Sequence, residues 1–136
     1  MAPKRSRHAR FLVALILLAG LFRTAPVMAR ELVTCRYLAA SGTRIEIELN
    51  VGAPPPATLI VMQNLPPDVS VVETSQPVKK FSQRPGEAKW LLMGIRPGIT
   101  LLGFTLNKAI RPGQISGEML YNAPDSGVMV RMPFSP

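Results

Sequence analysis

The stretch Thr43-Arg44-Ile45-Glu46-Ile47-Glu48-Leu49-Asn50-Val51 alternates strictly between apolar and polar residues from Arg44 onward. Period two puts Ile45, Ile47, Leu49 and Val51 on one face of an extended chain. Arg44, Glu46, Glu48 and Asn50 fall on the other, which is the pattern of a half-buried strand. Turn-forming residues bound it, with Ser41-Gly42 before and Gly52-Ala53-Pro54-Pro55-Pro56 after. The rest of the chain keeps this rhythm more loosely. Strands are predicted over residues 31–38, 58–62, 69–74, 88–93, 99–106, 115–121 (interrupted at Gly117) and 128–132. The segment 76–87 carries Pro77, Lys79, Lys80, Arg84 and Pro85-Gly86, and it reads as a loop. Arg96-Pro97-Gly98 and Arg111-Pro112-Gly113 read as turns.

About seven or eight short strands at this spacing make an all-β chain, for which a two-sheet antiparallel sandwich is the expected arrangement. A small barrel is the alternative. The core candidates are Trp90, Phe104 and the Ile45/Ile47/Leu49 face. Trp90 is followed by Leu91, Leu92 and Met93, which favours a core role over that of an exposed binding aromatic.

The N-terminus has a different pattern. Lys4, Arg5, Arg7 and Arg10 precede an apolar run from Phe11 to Phe22, broken only by Gly20, and Val27-Met28-Ala29 supplies small residues beyond it. A basic segment, a short apolar segment and a small-residue site make a secretory signal, with cleavage expected after Ala29. The run spans about a dozen residues where a membrane-crossing helix needs about 20, so an uncleaved anchor is the lesser reading. Residues 1–29 are thus expected to be a signal with a helical apolar segment, and residues 30–136 a single exported domain.

Export changes the charge argument. The chain carries 16 Lys and Arg against 8 Asp and Glu, but five of the basic residues precede the cut. The mature chain keeps 11 basic and 8 acidic groups, a net charge of +3. No concentrated basic stripe remains, which argues against nucleic acid as a partner. The only histidine, His8, leaves with the signal. Serine–histidine, cysteine–histidine and histidine–zinc chemistry leave with it, and one cysteine cannot build a multi-cysteine metal site.

Several segments resemble a known family. Asn64-Leu65-Pro66-Pro67-Asp68-Val69-Ser70-Val71-Val72 resembles the LPxGVxVV passage of bacterial immunoglobulin-like surface repeats. Lys89-Trp90-Leu91-Leu92-Met93-Gly94 looks like their xWxxG strand, and Arg96-Pro97-Gly98-Ile99-Thr100-Leu101 like their turn and following strand. Gly113 to Tyr121 sits where those repeats carry a strand with a central glycine. Cohesin-like domains share a similar layout. The resemblance implies an immunoglobulin-like sandwich used as a spacer or to hold a partner, on the cell surface or in the periplasm of a bacterium. It brings no catalytic residue. The acidic cluster of calcium-binding relatives is missing, since Asp68 and Asp125 stand alone, and no metal or other cofactor is expected.

Three features are candidates for chemistry. Cys35 is unpaired; it is a buried thiol, a disulfide site for a partner, or a lipid site after Leu32-Val33-Thr34. Lys79, Lys80 and Arg84 form a small basic loop, which reads first as a solvated loop and second as a contact for an anionic surface such as lipid headgroups or cell-wall polymers. Glu46 and Glu48 share a strand face about 6–7 Å apart, within glycosidase reach, but alternate charges beside Arg44 on a strand's outer face are ordinary, and a solvated face is the preferred reading. The expectation is a non-catalytic exported envelope module binding a protein or a surface polymer. The alternatives are a glycan-active enzyme using two of Glu46, Glu48, Glu73, Glu87 and Glu118, and a spacer held at the membrane by an uncleaved N-terminus.

Overall fold

The strictest alternation forms the best-buried strand. In a computed structural model that describes residues 31–75 and 79–136, β2 spans Gly42–Val51, and its Ile45, Ile47 and Leu49 are fully buried. The expected signal, residues 1–29, lies outside the described residues, as do Gln76, Pro77 and Val78. Eight further strands form among the described residues: β1 (Val33–Ala39), β3 (Thr58–Asn64), β4 (Val71–Thr74), β5 (Lys80–Arg84), β6 (Glu87–Met93), β7 (Gly98–Ile110), β8 (Ser116–Asn122) and β9 (Met129–Phe134).

They make two antiparallel sheets. Sheet A has the order β1-β2-β7-β4, and sheet B the order β5-β6-β3-β8-β9. Three hairpins (β1–β2, β5–β6, β8–β9) stay within a sheet, and every other connection crosses between sheets. Prolines sit in most of the crossing segments, where their fixed φ and missing N–H cost no ladder bond. The two-sheet sandwich expected from the strand spacing is therefore the observed architecture.

The core lies between the sheets, and the residues picked out from the pattern occupy it. Trp90 is fully buried, with its ring centroid 4.7 Å from Phe104 on β7 and 5.1 Å from Phe81 on β5. Its indole N–H donates to Thr74 Oγ1 at 3.1 Å, so the polar edge of the ring is satisfied inside the core. Gln83 on β5 ties the two sheets at one edge. Its amide N–H donates to the Val71 carbonyl at 3.1 Å, and its Oε1 accepts from the Val71 N–H at 3.0 Å.

Two expectations require correction. Nine strands form among the described residues, because β5 lies inside the segment read as a loop. An edge strand with Phe81 and Gln83 on its inward row and Lys80, Ser82 and Arg84 on its outward row lacks the apolar alternation that marks a strand in sequence. Its register comes instead from the β5–β6 turn, where Gly86 has φ +82°. Gly117, expected to interrupt a strand, lies within a continuous β8. A Cβ there would come within 2.4 Å of Phe134 and 2.5 Å of the Gln63 amide, so glycine permits close packing here.

Candidate functional site

Cys35 lies on β1, an edge strand of sheet A, on the inward row between Val33 and Tyr37. It is partly buried against the core, and burial pushes its thiol up to about 12. A thiol held neutral at physiological pH is a poor nucleophile. Lipid attachment would require cleavage before Cys35 and removal of Val33, which is fully buried and pairs with Val51. The neighbouring Tyr37 reaches across the sandwich, where its hydroxyl donates to Oε1 of the fully buried Gln63 on β3. Gln63 in turn donates to the Met62 carbonyl at 3.0 Å. Burial also raises the Tyr37 phenol. This polar pair escaped the sequence reading because β3 reads as apolar and Gln63 falls at its end.

The basic residues do not form a loop. Lys80 and Arg84 lie on β5 and Lys79 just before it, and Arg84 is drawn to Glu87 at 3.1 Å. The carboxylates are divided between opposite sides of the sandwich. Glu46, Glu48 and Glu73 belong to sheet A, and Glu87 and Glu118 to sheet B. Glu46 and Glu48 do share a strand face, as the alternation implied. Glu48 is held by Arg36 at 2.9 Å, and Glu118 by Arg131 at 2.8 Å. Asp68 is taken by Lys108 at 2.8 Å, which lowers its carboxyl through that hydrogen bond. Glu48, Glu87, Glu118 and Asp68 each have a cation beside them, and Glu46 and Glu73 form no ion pair among the described residues, an arrangement that suits solvated strand faces.

The outer face of sheet B is the distinctive surface. On β3 the inward row is Leu59, Val61 and Gln63, all fully buried, which turns Ile60 and Met62 outward. The register places Ile60 between Leu91 of β6 and Leu120 of β8. Met93 lies two residues beyond Leu91 on the same row and is 53 % exposed. Ile60, Met62, Leu91 and Leu120 thus form a continuous apolar band across the three central strands. Ile60, Met62 and Leu91 are half-buried and Leu120 is buried at 8 % exposure, yet none of the four belongs to the core cluster between the sheets. Cations border the band. In the Ile60 row the flanking residues are Lys80 on β5 and Arg131 on β9. In the next row Lys89 lies beside Met62. The signal for this surface was present in the sequence as the unbroken apolar run Leu59-Ile60-Val61-Met62, a pattern expected of a strand covered on both sides.

No known protein family matches the chain, and no curated protein matches it.

Proposed function

We propose that the mature chain is a non-catalytic module of the bacterial cell envelope that is exported and binds a protein partner through the outer face of sheet B. The apolar band of Ile60, Met62, Leu91 and Leu120 carries this reading, because contiguous apolar side chains on a solvent-side sheet face mark a contact surface. The N-terminal basic and apolar segments support export. The division of the acids between opposite faces, with arginines on Glu48, Glu87 and Glu118, supports a binding role over carboxylate catalysis. The likeness to immunoglobulin-like surface repeats points the same way.

The test is site-specific photocrosslinking in the native envelope. A crosslinker at Met62 should give a discrete adduct, and one at Glu46, on the outer face of sheet A, should not. Adducts at neither position, or equal adducts at both, would remove the basis for this proposal. An intact mass starting at Arg30 would show that the chain is processed after Ala29, whereas retention of the full N-terminus would make it a tethered spacer.

A further inference from the structure

The partner that fits this face can be specified more closely, on the basis of the binding role proposed above. The main chain of β3 is hydrogen-bonded on both sides, to β6 and to β8, so a ligand over the band meets side chains alone. The edges of sheet B do not favour strand addition either. Pro133 lies within β9 and offers no N–H, and β5 carries Lys80 and Arg84. A ligand must therefore lie across the face.

The dimensions of the band match a helix. From β6 to β8 is two interstrand spacings, about 10 Å, and an α-helix with its side chains is about 10–12 Å across. Along β3 the band covers Ile60 and Met62, about 7 Å apart, and the face of the whole seven-residue strand runs about 23 Å at ~3.3 Å each, the length of about 15 helical residues.

The charge pattern then selects the kind of helix. Glu87 and Glu118 are compensated by Arg84 and Arg131. Lys80 and Lys89 have no ion-pair partner among the described residues. The face therefore carries a cationic excess beside its apolar centre. A second copy of this face would bring the same excess against itself.

We infer that the outer face of sheet B, over Ile60, Met62, Leu91 and Leu120, receives an amphipathic partner helix of about four turns whose apolar stripe is flanked by acidic residues. The apolar stripe covers the band, and the carboxylates at its margin neutralise Lys80 and Lys89.

The probe is a synthetic amphipathic helical peptide of about 15 residues with a leucine stripe flanked by glutamates, titrated against the processed protein. A second peptide has the same stripe with lysine flanks. The glutamate peptide should bind at least about tenfold more tightly than the lysine peptide, and added salt should shrink the difference. The double variant Lys80→Glu/Lys89→Glu should reverse the preference. Ile60→Glu should abolish binding of both peptides while the near-ultraviolet signal of buried Trp90 stays unchanged, which keeps loss of fold distinct from loss of the site.

Equal affinity for both peptides would overturn the charge selection. Peptide binding unaffected by Ile60→Glu would overturn the site itself. Cosedimentation with anionic vesicles in place of peptide binding would replace the helix with a membrane surface. Concentration-dependent dimerisation lost in Ile60→Glu would replace it with a second copy. If neither peptide binds while the Met62 crosslink persists in the envelope, the helix assignment fails and the binding role stands; if the crosslink is also absent, both fail.

Discussion

The two outer faces of the sandwich are built by the same kind of strand and differ in what they present to solvent. On sheet A, β2 turns Arg44, Glu46, Glu48 and Asn50 outward. Apolar residues do occur there, since Ile99 and Leu101 on β7 are 66 % and 40 % exposed. Each is paired in register with a polar neighbour on β2, Ile99 with Asn50 and Leu101 with Glu48. On sheet B one outward row is apolar across three adjacent strands, Leu91, Ile60 and Leu120, with Lys80 and Arg131 at its ends, while Met62 in the next row stands between Lys89 and Glu118. Scattered apolar residues are normal on protein surfaces, whereas contiguous ones signal a surface with a use. The same core supports both faces, so the difference lies in the outward residues and is not a demand of the core.

The comparison assumes that one shared core carries both faces, and the largest effect is expected where that assumption is tested. Trp90→Ala removes a ring that joins β6 to Phe104 on β7 and Thr74 on β4, and it should cost about 3–5 kcal/mol in urea unfolding. A loss below about 1 kcal/mol would mean that the sheets are held together elsewhere. Tyr37→Phe leaves the buried Oε1 of Gln63 without its donor from β1 and should cost about 1–3 kcal/mol. Gly117→Ala forces a Cβ against Phe134 and Gln63 and should cost a similar amount, about 1–3 kcal/mol, by the same measurement.

Smaller effects separate the faces directly. Ile60→Thr and Glu46→Thr each replace an outward residue in a central strand, and each should change stability by no more than about 1 kcal/mol. Ile60→Thr should nevertheless lower binding of a fluorescent apolar dye, and Glu46→Thr should leave it unchanged. Arg36→Ala breaks an ion pair on the sheet A face and should barely move the urea midpoint, less still with added salt, because Arg36 is exposed and solvent screens the pair.

Alkali tests the β1 edge independently. The Cys35 thiol has its ordinary value near 9.0 when unfolded and about 12 when folded. The folded state holds the proton more tightly, so this contribution is complete below pH 9.0 and is lost as pH rises toward 12. Stability should fall across that window. Cys35→Ser should flatten the fall, with the remaining slope reporting Tyr37, whose phenol is raised by the same burial. An unchanged slope in Cys35→Ser would place the thiol in contact with solvent.

How much of this was legible in the sequence depended on how each strand is buried. β2 faces the core on one side and water on the other, and strict alternation states that arrangement directly. β3 announced itself as apolar on both sides, although nothing in the run shows which strands lie beside it. β5 was missed because an edge strand with a single aromatic inward contact leaves almost no periodic trace. The polar pair of Tyr37 and Gln63 was missed because its members lie 26 residues apart and meet across the sandwich.

Taken alone, the sequence determined the class of fold, the core residues Trp90, Phe104, Ile45, Ile47 and Leu49, and the outward placement of Glu46 and Glu48. Those properties follow from local periodicity and from the cost of leaving large apolar side chains in water. Only the tertiary structure decided which outward residues become neighbours. Strand order sets that, and it placed Leu91, Ile60 and Leu120 side by side although they are far apart in the chain. A surface for a partner is a property of such neighbours, because apolar side chains must be contiguous to exclude water together.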